Sequence, residues 1–210
     1  MIISVAALAA ALLPVLLGGR LSRLAAIPFR HTGWIVAALA TQILIIEVLP
    51  GPVSLLQAAH IATYGIAAWF IIVNRRIPGL WIIGTGAALN GLVITLNGGT
   101  LPARLGALQS AGIHLAPGEF VNSGVLAHPR LPFLGDIFAI PAGLPLSNVF
   151  SIGDILIVLG SGWTAWAIVG TRWTAPRAVT PRRTPRHRLP RQRGIRLLLP
   201  RVASPSAPAS

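Results

Sequence analysis

The sequence predicts an all-α integral membrane protein with five transmembrane helices, an irregular or re-entrant segment on the outer face, and a disordered basic tail. Three observations lead there. Of 210 residues, 54% are hydrophobic and only 10% charged, with a mean hydropathy of +0.74, whereas a soluble domain carries about 25% charged residues. The apolar residues gather in runs close to membrane length. The charge is lopsided, with 17 arginines and no lysine against four acids: Glu47, Glu119, Asp136 and Asp154. Cysteine is absent, which excludes disulfides, thiolate metal sites and thiol nucleophiles.

The first run, residues 2–17, ends at Gly18-Gly19-Arg20. A cleaved signal peptide carries its positive charge before the apolar core; here Arg20 and Arg23 follow it, so a retained helix is expected, loosened at Pro14. The second run, 34–49, stops at Pro50-Gly51-Pro52, and the third, 53–73, at Asn74-Arg75-Arg76. The fourth, 79–96, closes at Asn97-Gly98-Gly99, and the fifth, 155–169, precedes Thr171-Arg172-Trp173. At 1.5 Å per residue these runs reach roughly 22–32 Å, near the hydrocarbon thickness. Short turns after the second and third runs predict antiparallel neighbours.

Arginine counting sets the orientation, because cytoplasmic loops carry the basic excess. With the N-terminus outside, Arg20, Arg23, Arg30, Arg75, Arg76 and the ten arginines from Arg172 to Arg201 lie inside, against Arg104 and Arg130 outside. The C-terminus is then cytoplasmic. Residues 97–154 form the outer segment. Its apolar stretch from Leu131 to Phe150 is broken by Pro132, Pro141, Pro145, Gly135 and Gly143. Irregular backbone at membrane depth must be buried in protein or line a wet cavity, so a surface cap or shallow re-entrant hairpin is expected. Upstream, Leu105, Leu108, Gly112 and Leu115 share one helical face, suiting a short helix on the outer membrane surface. Residues 174–210 are rich in arginine and proline and bury too little apolar surface to order.

In this topology the polar groups collect in the outer half. Glu47, Gln57, His60, Asn90, Asn97 and Gly98 are the candidate pocket residues, since ionisable and amide groups at membrane depth are functional candidates by default. Gln57, His60 and Tyr64 form one stripe that hydrogen bonding between helices explains with no ligand involved; Asn90 and Asn97 share a face, and Asn97-Gly98-Gly99 is also an ordinary helix stop. Gly84, Ala88 and Gly91 form a strip that permits close helix approach. No second histidine stands at ligand spacing from His60, so no metal and no cofactor is expected. Ser151-Ile152-Gly153-Asp154 reads as a helix capping box, and Gly135-Asp136 as the start of a short helix. The alternative reading pairs Asp136 and Asp154 catalytically. Two adjacent carboxyls cannot both ionise, so one holds a proton as acid while the other acts as base.

Several elements resemble a family of small bacterial multi-pass membrane proteins classed only as a domain of unknown function. They are Gly18 to Leu24, Asn97-Gly98-Gly99-Thr100-Leu101-Pro102, Leu134-Gly135-Asp136 and Asn148 to Asp154, within a likeness covering about residues 1–172. That resemblance implies a bacterial cytoplasmic membrane location and no assigned activity. Leu101 departs from it, methionine being usual there. The Asn148 to Asp154 stretch is also similar in character to lipoprotein signal peptidases, membrane aspartyl proteases, with Asp136 as the possible partner. Five spans instead of four, and the lack of the arginine-containing box beside the first aspartate, depart from that pattern.

Three functions follow as expectations. The first is a non-enzymatic scaffold or accessory protein with an outer-leaflet polar pocket for a small ligand or protein partner, its tail lying on anionic lipid. The second is an outer-leaflet hydrolase using Asp136 and Asp154. The third, a transporter or channel subunit, lacks polar groups in the inner half. Nucleic-acid binding is disfavoured, because the tail has no aromatic beyond Trp173 for base stacking.

Overall fold

The computed structural model describes residues 2–48, 51–114 and 122–171. The basic tail, Leu115 and Glu119 lie outside the described residues. The chain is mostly helical, with α1 (Ile2–Leu16), a single turn α2 (Ser22–Ala25), α3 (Thr32–Glu47), α4 (Val53–Val73), α5 (Leu80–Leu96), a short α6 (Leu105–Ala111) and α7 (Ile152–Val169). The five long helices coincide with the five apolar runs within a few residues. Of the described helices, α4 with 21 residues and α7 with 18 are long and apolar enough to cross a membrane. The lengths of α1, α3 and α5 are 15, 16 and 17 residues, or roughly 23–26 Å of helix. That is short of a full hydrocarbon core of about 30 Å, so five spans do not follow from helix length.

Neighbours run in the order α3, α4, α5, α7, α1. The short α3–α4 and α4–α5 turns place consecutive helices side by side, as expected. The α5–α7 contact joins helices far apart in sequence, and glycine makes it possible. A Cβ on Gly86 would run into the Gly153 carbonyl, and one on Gly160 would lie 2.7 Å from the Ile83 nitrogen. Gly84 and Gly91 serve the other face of α5, where a Cβ would meet Ile71 at 2.7 Å and Tyr64 at 2.8 Å of α4.

The helix ends form two distinct layers. At one end Ile77, Leu80 and Ile168 pack with Ile27, Phe29, Ile71 and Ile83. Arg23 Nη1 donates to the Val169 carbonyl at 2.9 Å, supplying a partner to the C-terminus of α7. Asn74, the C-cap of α4, clips the loop before α3: its Oδ1 accepts from Arg30 N at 2.8 Å, and its Nδ2 donates to Arg30 O and Phe70 O. At the other end Asn97, the C-cap of α5, repeats the device. It accepts from Arg130 N at 2.8 Å and donates to Arg130 O and Val93 O.

The segment joining α5 to α7 is more ordered than its prolines and glycines suggest. It is a small α/β module in which β1 (Leu101–Pro102) pairs in parallel with β2 (Ser123–Gly124). After a 3-10 turn at Pro132–Leu134, β3 (Phe138–Ile140) and β4 (Asn148–Phe150) form an antiparallel hairpin. Two expectations are corrected. Asp136 does not start a helix: Gly135 is extended behind the 3-10 turn, and Asp136 bridges Ala103, its N–H donating to Pro102 O while its carbonyl accepts from Arg104 N. The buried face of α6 is Ala107, Leu108 and Ala111, packed on Val149, whereas Leu105 is exposed. The module supplies the partner for that face.

The glycine contacts give a testable contrast. Gly153→Ala drives a methyl group into the Asn90 amide and should cost about 2 kcal/mol or more, lowering the unfolding midpoint in detergent by several degrees. Gly65→Ala, on an open face of α4, should hold or raise it, by up to about 1 kcal/mol.

Candidate functional site

Candidate residues converge where α4, α5 and α7 meet the module. Ser151 is the N-cap of α7, and the capping box expected from sequence is present. Asp154 N donates to Ser151 Oγ at 3.0 Å, and Ser151 N donates to Asp154 Oδ2 at 2.9 Å. Asn90 extends the box onto α5. Its Nδ2 donates to Asp154 Oδ1 at 2.8 Å, and its Oδ1 lies 2.9 Å from Ser151 Oγ. Ser151 Oγ is equally close to Asp154 Oδ2, so its single hydrogen serves one of the two oxygens at a time. Both Asp154 oxygens thus have partners, at the positive end of a helix dipole.

His60 is 1% exposed and fixed from outside its own helix. Its Nδ1 donates to the Gly99 carbonyl at 3.0 Å. Gly99 has φ +103°, a conformation that favours glycine, and a Cβ there would lie 2.7 Å from Gln57 Cγ. Gln57 therefore packs on the turn that His60 holds. One turn on, Thr63 Oγ1 donates to His60 O at 2.6 Å and accepts from Gln42 Nε2 at 2.8 Å, tying α3 to α4. The His60 and Tyr64 rings meet edge-on at 5.4 Å.

Asp136 differs from Asp154. It is 3% exposed, its Oδ2 accepts from Ser123 Oγ, and its Oδ1 has no hydrogen-bond partner. Burial is the main cause that pushes its carboxyl up to about 7; the Ser123 hydrogen bond acts against that shift, and the negative charge of Asp154 adds to it. Asp136 is therefore the buried carboxyl with an open oxygen, whereas Asp154 has a hydrogen-bond partner on each oxygen. Such an arrangement holds a proton at Asp136 near neutral pH.

The six predicted pocket residues divide. His60, Gln57, Asn97 and Asn90 bind neighbouring segments, and Gly98 supplies a turn at φ +69° with open space around it. Glu47 ends α3. Ser123, Gly99 and the Gln42–Thr63 pair were not foreseen. Asn97-Gly98-Gly99 signalled a turn, but nothing in the spacing of Ser123 and Asp136 marks a pair that only β1–β2 pairing assembles. A cavity of about 450 Å³ opens beside β1, lined by Pro102, Arg104, Leu126, Pro129, Phe133 and Ile137 among others. Its wall is apolar apart from Arg104, and Gln57, His60, Asn90, Asn97 and Gly98 do not line it. Among the described residues no group of three or more histidine and acidic side chains is placed to hold a metal ion.

Residues 26–166 match a family model described as a family of unknown function, DUF5317. An uncharacterized protein of Thermotoga maritima is 34% identical over 93 residues, covering 43% of this chain and 52% of that protein. The chain thus spans about half the length of that curated relative. No solved structure matches.

The Asp136 carboxyl gives a pH test. Its pKa is higher folded than the ordinary value of 3.8, so the folded state holds the proton more tightly than the unfolded chain. The sign follows: its contribution favours folding most below pH 4, declines as pH rises, and is lost above about 7. The unfolding midpoint of the parent should fall across that window more steeply than that of Asp136→Asn. Parallel curves for the two proteins would refute this assignment.

Proposed function

The chain belongs to the DUF5317 family, whose function is unknown, and from that premise we propose that it is a non-enzymatic membrane scaffold presenting its α/β module on the outer face. One observation supports this above others: apolar side chains are exposed on every long helix. Leu8 and Leu12 on α1, Val36, Leu39 and Ile43 on α3, and Leu55 and Ile72 on α4 are 40–63% exposed. So are Leu92 on α5 and Leu159 on α7, at 50% and 61%. A soluble monomer rarely exposes contiguous apolar surface on this scale, whereas lipid covers it at no cost.

In this reading all five long helices cross the membrane, the shorter ones with their ends completed by interfacial residues. The N-terminus is outside and the C-terminal tail inside, on anionic lipid. The polar residues at the module end act as interhelical ties, and the module is the surface for an outside ligand or protein partner, with the apolar cavity beside β1 as its seat. The hydrolase alternative draws on the electrostatic coupling of Asp136 and Asp154, but both oxygens of Asp154 are engaged in the capping box and its Asn90 extension.

The lack of cysteine makes topology directly measurable. Single Ser147→Cys and Gln109→Cys variants, both exposed on the module, should react with a membrane-impermeant maleimide on intact bacterial cells. Ser22→Cys, at the opposite end, should react only after the membrane is opened. The reverse pattern would invert the topology, and recovery of the protein in the soluble fraction would end the membrane reading.

A further inference from the structure

The tryptophans are distributed unevenly along the helix axes. Trp34 is the third residue of α3, Trp69 lies in the last two turns of α4, Trp81 is the second residue of α5, and Trp163 and Trp166 lie in the last two turns of α7. Every one of these positions is at the end where Arg23 meets Val169 O and Asn74 clips Arg30. All five indoles are 38–65% exposed. Acidic residues follow the opposite rule: among the described residues Glu47, Asp136 and Asp154 all stand at the module end. Aromatic belts ordinarily mark both membrane interfaces. Here the described indoles share one end with Arg20, Arg23, Arg30, Arg75 and Arg76.

Within this layer one group of residues is built together. The Asn74 clip brings Arg30 against the end of α4, next to Arg75, whose Nη1 donates to Ile72 O at 3.1 Å. His31 has φ +60°, and its ring packs on Trp69 at 4.9 Å between centroids. Trp34 N donates to His31 O, so the second indole rises one turn away. Arg30, His31, Trp34, Trp69 and Arg75 are all exposed. Two exposed arginines and two amphipathic rings gathered at one helix end match a phosphate with its glycerol and acyl chains: arginine pairs phosphate through a planar fork, and indole sits at headgroup depth.

We infer that Arg30, His31, Trp34, Trp69 and Arg75 form a binding site for the headgroup of an anionic phospholipid in the inner leaflet. This rests on the membrane reading above. Charge complementarity selects the occupant, since the layer carries several arginines and no described acid. None of these five residues belongs to the basic tail, residues 174–210.

The test uses the full chain in phosphatidylcholine vesicles containing either phosphatidylglycerol with brominated tails or phosphatidylcholine with brominated tails, at equal mole fraction. Quenching of tryptophan fluorescence reports which lipid sits against the indoles. The brominated phosphatidylglycerol should be preferred about threefold or more. Arg30→Gln with Arg75→Gln should bring the preference close to parity, Arg30→Lys with Arg75→Lys should keep part of it through charge without the fork, and Arg104→Gln with Arg130→Gln should keep it in full. A preference that survives the first pair belongs to the tail and overturns the site. So does equal quenching by both lipids in the parent, or loss in the Arg104 and Arg130 pair. Quenching by neither lipid overturns the membrane reading itself.

Discussion

The close approach of α5 and α7 is the constraint on which the rest of the structure depends. These helices are separated in sequence by the whole α/β module, and they touch only because Gly86, Gly153 and Gly160 leave no side chain between them. Contact at that distance brings Asn90 within reach of the first turn of α7, where its amide donates to the Asp154 carboxylate and its oxygen meets the Ser151 hydroxyl. The resulting junction fixes where α7 starts and therefore where the module must end. With α7 placed, α1 packs on its far side and Arg23 reaches its last carbonyl. A substitution at Gly153 would thus be felt well beyond one contact.

The two aspartates show how environment separates chemically identical groups. Asp154 stands at a helix N-terminus, where the Ser151 N–H and the Asn90 amide donate to its two oxygens. Asp136 lies inside the module, next to a serine, with one oxygen unpartnered and the charge of Asp154 nearby. In the sequence both follow glycine and both precede apolar residues, so the local pattern treats them alike. What separates them is tertiary: Asp154 lies in the first turn of an 18-residue helix, while Asp136 makes a single β-bridge to Ala103.

The same distinction explains what was legible in the sequence. Helices follow from local apolar runs and their stops, so the five long helices, the Asn97-Gly98-Gly99 turn and the Ser151–Asp154 box can be read directly. The role of Asn90 was legible as a polar group on a helix, but its partner lies 64 residues away. The module was not legible, because strands of two or three residues carry too little alternation to register, and its proline content argued for irregular backbone. Its pairings are non-local: Leu101 with Ser123, Ala103 with Asp136, Phe138 with Phe150. The bond from His60 to the Gly99 carbonyl, 39 residues away, could not be read from the stripe it shares with Gln57 and Tyr64.

The two asparagine clips also order the assembly in time. A chain emerging from its N-terminus can close the Arg30–Asn74 clip as soon as α4 is complete, across a gap of 44 residues. The Asn97–Arg130 clip spans 33 residues and waits until most of the module exists. The Asn90 junction comes last, once residue 154 has appeared. The two clips use asparagine amides at the ends of α4 and α5, and the third contact uses one from the middle of α5. In order of synthesis the backbone for these contacts is therefore complete first at the arginine end and then twice at the module end, with α1, one wall of the place α7 takes, made before all of them.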